Sequence, residues 1–104
     1  WNLVMFYLFK KVEHYKIPKE YKPYAVIETV ETKKGITYIN RTIYDSQSKM
    51  VKQVHTGNHA QPKEHPYGNS GEHMHDYIWK DGKLSRRATR EITEVERKEH
   101  EDIL

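Results

Sequence analysis

The sequence contains no cysteine. That excludes a disulfide framework and any zinc site built on thiolates. It leaves the compartment open, because a protein that works in oxidising or reducing surroundings alike does well without thiols. Serine is sparse, at positions 46, 48, 70 and 85, and stands in no nucleophile–base arrangement that would support covalent catalysis. There is no glycine-rich phosphate loop, since Gly68 and Gly71 precede an expected strand rather than a helix. A long apolar run is also missing. The stretch WNLVMFYLF spans residues 1–9 and then meets Lys10 and Lys11, whereas a membrane span needs about 20 apolar residues. A secretory signal places its charges before the apolar stretch, not after it. The chain starts with Trp rather than Met, and we read it as a fragment of a longer chain with a buried first element. A truncated membrane segment is the alternative.

What is present fits one folded domain over residues 1–104. The chain is polar, with a mean hydropathy of −1.00, but eight tyrosines and two tryptophans argue against disorder. Bases exceed acids by three, a modest excess that permits phosphate contacts without demanding them. The acids concentrate at the end. From Glu91 onward, six acids stand against Arg97 and Lys98, so the rest is more basic than the total suggests.

Periodicity gives most of the elements. Residues 3–15 are ambiguous, with Val4, Leu8 and Val12 at helical spacing and aromatics that favour a strand; a helix is expected. IPKEYKPY reads as a linker, because each proline pushes its predecessor away from helical geometry. YAVIETVET and ITYINRTIYD alternate and are rich in β-branched and aromatic residues, with a turn at Lys33-Lys34-Gly35 between them. SQSK is a second turn, and MVKQVHT a third strand of an antiparallel meander. HMHDYIWKDGKLSRR reads as a further hairpin turned at Asp81-Gly82. Thr93 and Glu96 have capping-box spacing ahead of a short, mostly solvated helix with Glu94–Lys98 and Arg97–Glu101 at i,i+4. The expected fold is α+β: a small antiparallel sheet of four to five strands with a helix near each end.

The candidate site is a histidine-rich loop, residues 57–73. Residues 56–77 hold four of the seven histidines, and His55 sits just upstream. Alternation along the expected strand puts His73, His75, Tyr77 and Trp79 on one surface, the two imidazoles about 7 Å apart. Met74, Asp76 and Ile78 face the other way. His59 and His65 lie on the loop, which could fold back over the imidazoles. One reading is a metal site, with zinc held by His59, His65, His73 and His75 and with Glu72 or Asp76 as a ligand or ring-orienting group. Another is metal-free RNA cleavage with no cofactor, in which the same four histidines include the acid/base pair. Lys63, Lys80, Arg86 and Arg87 are the cations at hand, and Tyr67, Tyr77 and Trp79 offer stacking faces for bases. The third is structural, with the imidazoles tying down loop carbonyls. Arg86, Arg87 and Arg90 form a basic cluster that is either a solvated face or a phosphate contact.

The run from Ile43 to Trp79 carries an Asn58-His59 step, a Pro62-to-His65 step, and His73-Met74-His75 followed by Trp79. It resembles small C-terminal domains of bacterial polymorphic toxins and of phage or mobile-element proteins from Gram-positive bacteria. The resemblance implies an RNase on a small antiparallel sheet, His59, His65, His73 and His75 as the residues to test, a cognate immunity protein as partner, and action in the cytoplasm if the domain is a toxin. The leading expectation is an RNA-cleaving or RNA-binding domain using the histidine cluster, with Lys80, Arg86, Arg87, Tyr77 and Trp79 contacting RNA. The alternative is a non-catalytic interaction module stabilised by zinc.

Overall fold

The computed structural model describes residues 6–9, 17–57 and 67–104, the first of these as backbone only. Among the described residues six strands form one sheet in chain order: β1 (Phe6–Phe9), β2 (Ala25–Lys33), β3 (Ile36–Tyr44), β4 (Met50–His55), β5 (His73–Lys80) and β6 (Lys83–Arg90). Strands β2 to β6 are antiparallel neighbours, and β1 adds to β2 in parallel. Among the described residues one short helix, α1 (Glu94–Glu99), follows. The sheet therefore has more strands than expected, and residues 6–9, which fall within the helix expected near the start, form β1; the rest of that expected helix lies outside the described residues. A short apolar run does not declare its period, and here the open edge of β2 takes it as a strand.

Turn chemistry sets the meander. Lys34 and Gly35 have φ of 51° and 78°, and Asp81 and Gly82 have 52° and 75°. Both pairs meet the positive-φ demand of the tight hairpin turn whose twist matches the strands. At the β3–β4 turn, Asp45 Oδ1 accepts from the N–H groups of Gln47 and Lys49 at 2.8 and 2.9 Å. The segment read as a linker is tied down. The Tyr44 hydroxyl donates to the Pro18 carbonyl at 2.6 Å, and Met50 N–H to the Lys19 carbonyl at 3.0 Å.

Both faces of the sheet are covered. Ala25, Ile27, Tyr44 and Met50 pack on one face, with Ile17, Tyr21, Tyr77 and Leu84 against them. Val54, Met74 and Ile92 pack on the other, with Ile43 and Ile103. As expected, Met74 enters this core; Ile78 does not and is exposed, beside the bulge between Ile78 and Trp79.

The C-terminal segment is fastened to the second face by charge. The capping box forms as expected, Glu96 N–H donating to Thr93 Oγ1 and Thr93 N–H to Glu96 Oε1. Glu96 is buried, however, and takes both Arg90 Nη atoms at 2.8 Å. Arg97 pairs with Glu72 at 3.0 Å. Buried Arg41 donates to Glu28, to His100 Nδ1 and to Asp102 at 3.0, 3.2 and 3.1 Å. Burial, reinforced by Arg41, lowers the pKa of His100 below the ordinary imidazole range. Among the described residues no helix is long and apolar enough to cross a membrane.

Gly57, just beyond β4, allows a close approach. A Cβ there would lie 2.1 Å from Cε1 of Tyr38. Gly57→Ala should cost about 1–3 kcal/mol by overpacking. A double-mutant cycle by denaturant unfolding should show most of that cost vanish in a Tyr38→Leu background; an unchanged cost would place the strain elsewhere.

Candidate metal centre

The pairing of β4 with β5 builds the site. His55 stands opposite His73, and Gln53 opposite His75. The same rows continue outward, to Asn40 beside His55 on β3 and to Thr42 beside Gln53, and to Thr89 beside His75 on β6. Because residues two apart share a face, all of these side chains project from the face that also carries Ile27 and Tyr77.

Three imidazoles converge there. Ring centroids are 5.0 Å apart for His55 and His73, 4.6 Å for His55 and His75, and 4.8 Å for His73 and His75. One ligand nitrogen from each lies within 4.8 Å of the others. Zinc–nitrogen bonds of about 2 Å would bring tetrahedral ligand nitrogens to about 3.4 Å, so binding would draw the three rings closer together. His73 is 0% exposed and His75 3%.

Each ring is oriented by a hydrogen bond to a ring nitrogen. His73 Nδ1–H donates to the Gly71 carbonyl at 2.7 Å. A carbonyl only accepts, so the lone pair of that ring is on Nε2. His55 Nε2–H donates to Gln53 Oε1 at 2.9 Å, which puts its lone pair on Nδ1. His75 Nδ1 shares a hydrogen bond of 2.8 Å with Thr89 Oγ1. Gln53 is fixed in turn: its Nε2 donates to Thr42 Oγ1 at 3.0 Å, and its Oε1 also accepts from the Tyr77 hydroxyl at 2.8 Å. Outer-nitrogen hydrogen bonds of this kind orient metal-binding histidines and fix their tautomers.

The remaining candidates are dispersed. His59, His65 and Lys63, and the expected folding of the loop over the imidazoles, lie outside the described residues. Glu72 caps the turn that enters β5, accepting from Asn69 N–H at 3.0 Å and Ser70 N–H at 2.6 Å. Burial pushes its carboxyl up, but these N–H groups and Arg97 more than offset that and bring it down to about 2. Asp76 faces the helix side, bonded to Arg90 at 2.6 Å. Glu72 and Asp76 are therefore committed to Arg97 and Arg90 rather than to the imidazoles, and Arg90 of the basic cluster is an ion-pair partner. Arg87 stands opposite Tyr77 on the imidazole face, and Arg86 opposite Ile78 on the other face. Burial raises the Tyr77 phenol against the pull of Arg87. Lys80 is exposed beside the Asp81-Gly82 turn. The Trp79 indole donates to the Met50 carbonyl at 2.8 Å, with Lys49 Nζ 5.3 Å from its ring centroid. Tyr67 meets the His73 ring at 5.8 Å.

The residue that sequence reasoning left out is His55. Its signal was available: it ends the strand that pairs with the one carrying His73 and His75. No protein-family model, curated protein or solved structure matches this chain.

Proposed function

We propose that this domain binds a divalent ion of the zinc class through His55, His73 and His75 and uses it to cleave RNA. The observation that carries the reading is the meeting of three imidazole ligand nitrogens within 4.8 Å, in rings that are each oriented by a hydrogen bond to a ring nitrogen. Imidazole suits zinc, copper, nickel and iron ahead of calcium or magnesium. Three protein ligands are the donor count of catalytic zinc sites, where the ion lowers the pKa of a bound water to about 7. Arg87, on the same face beside Tyr77, is the cation placed to meet a phosphate there. Burial of His73 and His75 favours ligation over a metal-free pair that must itself reach the sugar hydroxyl and the leaving oxygen. The placement among toxin or mobile-element domains rests on the histidine steps of the sequence.

The test combines elemental analysis with an RNA assay. The purified protein should carry about one metal per chain, consistent with a single three-imidazole centre. It should degrade bulk RNA, stop in chelator and resume with zinc. Negligible metal under excess zinc would overturn the centre. Cleavage that survives chelator would return the imidazoles to metal-free acid/base work. Bound metal with intact RNA would leave the zinc-stabilised interaction module, a reading favoured by how deeply His73 and His75 are buried.

A further inference from the structure

Asn40 lies one strand out from the imidazoles, opposite His55 in the register of β3 and β4. It is 8% exposed, and its Oδ1 is buried with no hydrogen-bond partner among the described residues. Buried polar atoms in folded proteins are almost always satisfied, and the exceptions concentrate where an ion or water belongs. The row Thr29, Asn40, His55, His73 runs straight across the sheet on the imidazole face. Directly opposed residues on one face have Cβ atoms about 5 Å apart, so the Asn40 carboxamide adjoins the His55 ring.

Resting on the metal-centre reading, we infer that Asn40 Oδ1 accepts a hydrogen bond from the water bound to the ion held by His55, His73 and His75. A metal–oxygen bond of about 2 Å followed by an O–H···O bond of about 2.7 Å extends about one strand spacing from the ion, and Asn40 is one strand out from His55. An amide oxygen is acceptor-only, so it suits a water or hydroxide, each of which has a hydrogen to donate. Asn40 is thus a positioning residue: it acts on the metal through the water and fixes the direction in which the oxygen lone pair points. The same contact accounts for a buried carboxamide oxygen that has no partner among the described residues.

The experiment uses the whole chain with zinc and, for the spectrum, with cobalt in its place. Asn40→Ala should keep the metal stoichiometry of the parent and lose about tenfold in affinity, the usual effect of removing an outer contact. Asn40→Asp should bind metal at least as tightly. It should also raise the pH midpoint of the cobalt spectral transition by about one unit, because a carboxylate beside a metal-bound water favours the protonated form. If Asn40→Asp does not fold, Asn40→Ala alone decides by its affinity. If the parent binds zinc and Asn40→Ala binds it within twofold, this inference fails while the metal centre stands. If the parent binds no zinc, both fall together.

Discussion

Zinc added to the metal-free protein is expected to raise its Tm by about 15 °C at a thousandfold excess over Kd. A ligand that binds only the folded state stabilises it by about 4 kcal/mol at that excess. In a domain of about 100 residues each kcal/mol moves the Tm by roughly 4 °C or more. The folded state is the better binder here because the three imidazoles come from two strands, with His55 separated in sequence from His73 and His75 and joined to them only by the β4–β5 pairing. Unfolding separates the ligands. His73→Ala should abolish the zinc-induced shift, as should His75→Ala. Each substitution also empties a buried site and lowers the Tm of the metal-free protein, so the quantity to read is the difference between zinc and chelator for each variant. Gln53→Ala is a subtler probe: it removes the group that holds His55 Nε2–H and the Tyr77 hydroxyl, and should shrink the shift without eliminating it. A metal displaces protons from imidazole, so the stabilisation should fade as the solution is acidified. A shift that is equal in parent and His73→Ala would mean that zinc binds elsewhere.

Much of this architecture follows from local rules that act within a few residues. Lys34-Gly35 and Asp81-Gly82 turn where they should because positive φ is cheap there, and Thr93 caps α1 because Glu96 reaches back to it. What local rules miss is decided by partners distant in sequence. Spacing within β5 aims His73 and His75 at one space, but the third imidazole arrives from β4, and only the register His55↔His73 says so. Glu96 illustrates the same limit. On the helix alone it is one acid among several on a solvated surface; Arg90, at the end of β6, makes it a buried ion-pair centre. Asp76 and Glu72, attractive as ligands beside the His-x-His step, are taken by arginines that the sequence places 14 and 25 residues away. The strand β1 forms because β2 offers an open edge, a fact about the sheet and not about residues 6–9.

The other large effect is expected at Glu96, where replacement by alanine should cost about 3 kcal/mol and lower the Tm by 10 °C or more. Its carboxylate accepts from Arg90 Nη1 and Nη2 at 2.8 Å each, from Lys52 Nζ at 3.0 Å, and from the N–H and hydroxyl of Thr93 at 3.0 Å each. Removing it takes away the side-chain half of the capping box, the acceptor for the Thr93 N–H and hydroxyl, while the position-96 N–H keeps its bond to Thr93 Oγ1. It also strips Arg90 of one of its two carboxylates. Arg90 keeps Asp76 and is about one-third exposed, which holds the loss to the lower end of the range for a broken buried pair. Arg90, ahead of the opposing effect of burial, keeps the Glu96 carboxyl well below the usual carboxylate range. A folded-state pKa below the unfolded one means that the stabilisation is fully present above the ordinary glutamate pKa of about 4.3 and is lost as pH falls below it. Glu72, held down to about 2, adds to the same slope. The parent should therefore lose stability steadily from about pH 5 downward, while Glu96→Ala starts lower and follows a shallower slope. Glu96→Gln keeps an acceptor for Thr93 and discards the charge, so it should fall between the two at neutral pH and share the shallow acid limb. Denaturant melts of the three proteins between neutral and acid pH read all of this at once. Parallel curves for parent and Glu96→Ala would show that the Arg90–Glu96 pair does not fasten the C-terminal segment to the sheet.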